Sequence, residues 1–231
     1  MSDDRYAPPT AALGDPARER GTGRIDLGEA FREAWAATWA NFGLLLGAWL
    51  LLVVVSLLSI LTVVGAFLIL PVLLWGTFRF VLNVVDGSAE IGDLFSGFSD
   101  YARVLGTMLS LMLLMVVIYF AGQAIAILGR ASGSGLITFV GVIFNLAWGL
   151  GVIPRIAFVG YYVVDQGLAP VEALKTSWNA TSDQKLTCLL LAILFSVIPF
   201  IGLLCLVVGV IPASMLVYLL QASAYRQLAG R

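Results

Sequence analysis

The chain has 231 residues, of which 60% are hydrophobic and 12% charged, with a mean hydropathy of +0.98. Soluble domains carry about 45–50% apolar and about 25% charged residues, so a soluble globular fold is excluded. The net charge of −1 offers no basic patch, and nucleic acid is not an expected partner.

Four stretches contain no Asp, Glu, Lys or Arg at all: residues 34–78, 104–129, 131–154 and 186–225. A helix needs about 20 apolar residues at 1.5 Å each to cross a bilayer, and these stretches are long enough to do so. The chain reads as an all-α polytopic membrane protein. Its 231 residues contain no histidine, which removes the commonest metal ligand and general base. Proton relays and intramembrane ion sites need ionisable groups at membrane depth, and the charge-free stretches supply none. No nucleophile motif, phosphate loop or metal spacing is present. The expectation is therefore no catalytic residue, no cofactor and no metal.

In chain order, residues 1–24 are rich in Pro, Gly, Asp and Arg and read as a disordered tail. The rest, 25–231, reads as a single membrane domain. The first apolar run begins near Phe42 and is too long for a signal-peptide core of about 7–15 residues. Before it, Leu27, Phe31, Trp35 and Trp39 recur every four residues over 26–41, and Asp26 with Glu29 forms a candidate capping box. Residues 42–85 make two spans with a turn near Thr62–Gly65. Residues 90–101 place Ile91, Leu94, Phe95, Phe98 and Tyr101 on one stripe. The third span is 104–128 and the fourth 136–164, separated by a Gly/Ser-rich turn at Gly129–Gly135. A helix then starts at Pro170 and stripes Val171, Leu174 and Trp178. Residues 186–225 hold the fifth and sixth spans, turning near Pro199–Gly202. The fifth is short before its proline, so that helix either continues past a kink or is partly re-entrant. Cys188 and Cys205 fall near opposite faces of this last hairpin and are expected to be free, buried thiols.

The predicted fold is thus six transmembrane helices as three hairpins, each preceded by an amphipathic interfacial helix. Three features align the units 25–87, 88–167 and 168–228 as a threefold internal repeat. The short helices share an acid, a large apolar residue and a later position: Glu29–Phe31–Trp35, Asp93–Phe95–Ser99 and Glu172–Leu174–Trp178. Ser99 breaks the last column. The second hairpin helices carry Pro71, Pro154 and Pro212 after aliphatic residues, and Asp86 and Asp165 each precede the next unit's acid by seven residues. Lys and Arg gather in the N-terminal segment, the connections after the second and fourth spans, and the C-terminus. Arg130 stands alone on the other side. Both termini are expected on the cytoplasmic side.

Arg79 and Arg155 sit in second hairpin helices, before the apolar run ends. In the functional reading they hold an anionic group such as a lipid phosphate. In the structural reading, which boundary arginines commonly follow, they snorkel to the headgroups or pair with an acid of a neighbouring unit. Gln123 and Asn145 are deep in the third and fourth spans and are expected to hydrogen-bond between helices. Phe31, Trp35, Trp39, Phe95, Phe98 and Trp178 are the expected interfacial aromatics.

The stretch 165–181, DQGLAPVEALKTSWNAT, combines D-x-G with E-A-L-x-x-S-W between two hairpins. It resembles a signature of uncharacterised bacterial six-helix membrane proteins, similar to the membrane domain fused to some glycerophosphodiester phosphodiesterases. That resemblance implies a bacterial inner-membrane location and no transferable catalytic residue. The function expected is a non-catalytic accessory or scaffold subunit, or a lipid-interacting component. Its partners would be membrane lipids and other membrane-protein subunits. The alternative is a small-molecule or lipid transporter with an anion site near Arg79 and Arg155.

Overall fold

A computed structural model describes residues 23–204 and 209–230, so of the tail read over 1–24 only the last two residues fall inside it. Among the described residues there are eleven α-helices, one 3-10 helix and no strand.

Helix α1 (Leu27–Ala40) starts at an extended Asp26 whose carboxylate accepts from the N–H groups of Gly28 and Glu29, at 2.9 and 3.0 Å. The reciprocal half of the expected capping box is replaced. The Asp26 N–H donates to Gln227 Oε1 at 2.7 Å, which ties this helix start to the chain's last helix. Trp35 and Trp39 are 49% and 52% exposed, whereas Ala30 and Ala34 are fully buried. The small residues, not the aromatic stripe, form the packed face.

Asn41 separates α1 from α2 (Phe42–Ile60), and the expected turn follows. The return leg is split at Ile69 into α3 (Val63–Leu68) and α4 (Leu70–Val85). Pro71 lies in the first turn of α4, where its missing N–H removes no helix bond. Both halves of α4 reach the core, through Val72 and Leu73 and then Phe80, Val81, Leu82 and Val84.

The second short helix, η1 (Ile91–Asp100), is 3-10 and carries a complete capping box between Glu90 and Asp93. Its helical type explains the broken column of the sequence alignment. With three residues per turn, one face recurs at i+3 rather than i+4. Phe95, Phe98 and Tyr101 therefore meet ring to ring in succession, at 6.2 and 6.0 Å, and Ser99 falls off the stripe. In α1 the same ladder runs at i+4 through Phe31, Trp35 and Trp39, at 6.1 and 5.7 Å. The inward positions are Leu94 and Gly97 in η1. The backbone of Leu94 lies so close to Gly76 of α4 that a Cβ there would collide with it.

From η1 the chain runs straight into α5 (Tyr101–Ser132), 32 residues long. The turn expected over Gly129–Gly135 shrinks to its last residues, because α5 continues helically to Ser132 and stops at Gly133, φ +65°. Gly129 stays helical and serves packing instead. A side chain there would meet the backbone of Ile137 and Thr138 in α6 (Gly135–Gly151). The expected fourth span is interrupted at Val152, where Pro154 starts the short α7 (Ile153–Ile156), and resumes as α8 (Val159–Gln166).

Helix α9 (Pro170–Ala180) begins at the expected proline and buries Ala173 and Ser177. Helix α10 (Lys185–Leu204) passes through Pro199 without ending, so no turn forms at Pro199–Gly202. Gly202 instead marks a close crossing with α11 (Val210–Ala229), where an added Cβ would press on Ala213 and Gly209. Residues 205–208, Cys205 among them, lie outside the described residues. Cys188 is free and buried, as expected.

Five runs among the described residues are long and apolar enough to cross a membrane: Phe42–Ile60, Val64–Val85, Ile91–Phe120, Gly135–Gln166 and Lys185–Leu204. Helix α11 has 20 residues but ends in Gln221, Ser223, Tyr225, Arg226 and Gln227. It is packed on several sides, with Leu219, Leu220, Ala222 and Ala224 fully buried. Three short-helix contacts organise this end of the molecule: η1 packs on α4, α9 on α8, and α1 on α11.

Candidate functional site

Helices α4, α8 and α11 converge through aromatic side chains. Tyr161 of α8 lies edge-on to Phe78 of α4 at 4.9 Å and stacks on Tyr225 of α11 at 5.5 Å. Its hydroxyl donates to the Tyr218 carbonyl and to Gln221 Oε1, at 3.3 and 3.4 Å. A buried tyrosine needs such a partner.

One turn further on, Arg226 bridges the other two helix ends. Its Nε donates to Asp86 at 3.0 Å, its second terminal nitrogen closes the other half of that fork, and its first donates to Asp165 at 3.0 Å. Tyr225 donates to the remaining Asp165 oxygen at 2.7 Å and accepts from Gln166. The Arg226 and Asp165 side chains are 12% and 11% exposed, while Asp86 is 41% exposed. A guanidinium offers five donors in a planar fork, which suits it to holding two carboxylates at once. A similar tie joins α1 to α11, where Ser223 donates to Glu33. The N-terminal segment is held by Gln184, which accepts from the Ile25 N–H at 2.6 Å and donates to the Gly23 carbonyl at 2.7 Å.

Each of these three helices ends at a glycine with positive φ: Gly87 (+75°), Gly167 (+66°) and Gly230 (+77°). A left-handed residue is the usual helix stop, and glycine adopts it without steric cost.

Arg155 has a different environment. It is half-buried, its guanidinium lies 4.6 Å over the Trp178 ring, and its own carbonyl accepts from the buried Ser177 hydroxyl. No carboxylate among the described residues pairs with it. It lines an open groove of about 510 Å³ between α6–α7 and α10, together with Leu150, Pro154, Lys185, Leu186 and Leu189. A second groove of about 570 Å³ is lined by Trp148, Val152, Ile156, Lys175 and Trp178.

The two arginines singled out in the sequence are not brought together. Arg79 is exposed on α4 and lines neither groove. Neither arginine pairs with an acid among the described residues; Arg226 pairs with Asp86 and Asp165 instead. In the sequence Arg226 stands only as a C-terminal charge. The signal was present, since Asp86 and Asp165 occupy matching helix ends and Arg226 closes the 186–225 charge-free stretch. Gln123 and Asn145 are half-buried and form no hydrogen bond with another described side chain. The α5–α6 pair closes through Gly129. Phe31, Trp35, Trp39, Phe95, Phe98 and Trp178 are all exposed.

Comparisons with protein-family models, curated proteins and solved structures found no match.

Proposed function

We propose that this chain is a non-catalytic integral protein of a bacterial inner membrane, an accessory or scaffold subunit that works in contact with lipid. In this reading six helices cross as three hairpins, each following an interfacial helix, with both termini in the cytoplasm. The three units form a quasi-threefold ring. Each short helix packs on the returning helix of the unit before it, and α1 on α11 closes the circle.

The observation that carries the reading is the Arg226 bridge. The nearly enclosed Arg226 and Asp165, with the exposed Asp86, join the ends of α4, α8 and α11, a structural task rather than a lining for a transport path. Support for the interfacial helices comes from their two faces. Small residues are packed inward and aromatics are left outward, the pattern suited to the headgroup boundary. The resemblance of residues 165–181 to bacterial six-helix membrane domains points the same way.

The test is purification of the full chain in native lipid, with identification of co-purifying lipids and proteins, beside uptake measurements in proteoliposomes. A stable membrane-protein partner or retained phospholipid without uptake is the expected result. Solute uptake by the reconstituted chain overturns it.

A further inference from the structure

We propose that the groove between α6–α7 and α10 holds an anionic glycerophospholipid, its phosphate between Arg155 and Lys185 and an acyl chain along Leu150, Leu186 and Leu189. The inference rests on the membrane reading above and assigns that reading a site.

Three observations converge on it. The groove has two cations and no acid in its lining, while its walls are aliphatic. That pairing of charge and apolar surface matches a phosphodiester joined to a hydrocarbon chain. Arg155 is fixed, because its guanidinium rests on Trp178 and its backbone is held by Ser177. Stacking occupies one face of the guanidinium and leaves its edge donors for an anion. No carboxylate among the described residues takes them, in contrast to Arg226 with its two aspartates. A half-buried guanidinium at the margin of an apolar zone is costly without an anion. Lys185 is exposed and is the first residue of α10, whose amino end adds positive potential on the same side. Lys175 in the second groove adds a third cation.

The experiment counts lipids bound to the purified full chain by native mass spectrometry, after exchange into matched phosphatidylglycerol or phosphatidylcholine. Each basic residue near an anionic headgroup is worth about fivefold, so two predict about a thirtyfold preference for phosphatidylglycerol. Lys185→Glu, at an exposed position that leaves folding intact, and the double variant Arg155→Ala with Lys185→Ala both abolish the preference. Leu189→Trp lowers occupancy of either lipid by filling the groove, and Arg79→Ala leaves the preference unchanged. If both charge variants keep the wild-type preference, the site is wrong while the lipid-contacting reading stands. If wild type retains neither lipid, that reading falls with it. Release of the lipid by millimolar inorganic phosphate alone would show a free-anion site and also overturn the proposal.

Discussion

Arg226 grips Asp86 across 140 residues of sequence, Nε to one carboxylate oxygen at 3.0 Å and a terminal nitrogen to the other. The same guanidinium holds Asp165, so a residue near the C-terminus joins the ends of α4 and α8. The two acids are unequal. Asp165 is nearly enclosed and also takes the Tyr225 hydroxyl, whereas Asp86 is open to solvent.

That inequality sets the first prediction. Arg226→Ala strands a buried Asp165, and breaking a buried pair in this way costs about 3–5 kcal/mol. Asp86→Asn removes an exposed partner and costs about 0–1 kcal/mol. Thermal unfolding of both variants in detergent checks the order. Equal destabilisation would mean that the Asp165 contact contributes nothing.

The packed face of α1 supplies the second. Ala34→Leu forces a larger side chain against α11 and is expected to destabilise by about 1–3 kcal/mol, the usual overpacking range. Trp35→Ala, on the outward ladder, is expected to cost under about 1 kcal/mol, in line with substitutions away from packed features. Amphipathic sequence logic alone would predict the reverse order, so the pair of unfolding measurements discriminates sharply.

A third prediction concerns the approach of η1 to α4. Gly76→Ala drives a methyl group into the Leu94 backbone, which cannot move aside as a side-chain tip can. A loss of at least about 2 kcal/mol is expected from the resulting strain. Gly92→Ala, with open space around its Cα, is the matched control and stays close to wild type. Similar melting temperatures for the two variants would contradict this packing.

The fourth tests the orientation. Cysteines introduced at Ser88 and Ser182 follow the second and fourth expected spans, and one at Ser134 sits in the α5–α6 turn. In intact cells a membrane-impermeant thiol reagent should label Ser134→Cys alone. Ser88→Cys and Ser182→Cys should react only after permeabilisation. Each variant also carries Cys205→Ser, and the buried Cys188 contributes little background. Labelling of Ser88→Cys in intact cells would reverse the proposed topology.

Much of the architecture was legible in the residues because it depends on local physics. The 34–78, 104–129, 131–154 and 186–225 charge-free stretches announce apolar helices wherever they sit in space. Asp26, Pro170 and the Asp93 capping acid mark helix starts through groups within one turn. Other local signals have two uses. Gly129 and Gly202 looked like turn residues but serve as crossing points, because a missing Cβ permits close approach as readily as a bend. Ser99 looked like a defect because α-helical spacing was applied to a 3-10 helix.

Composition and charge spacing thus determined by themselves that this chain is helical, built for an apolar surround and marked with acids and aromatics at the start of each short helix. Tertiary structure alone decided which face of α1 packs, which arginine meets Asp86 and Asp165, and which is left over a tryptophan beside an aliphatic groove. The physical reason is range. Hydropathy and capping act within a few residues, whereas the partner of a guanidinium depends on which helix ends converge. Arg79, Arg155 and Arg226 are alike as residues in a sequence; only the meeting of α4, α8 and α11 gives one of them two aspartates.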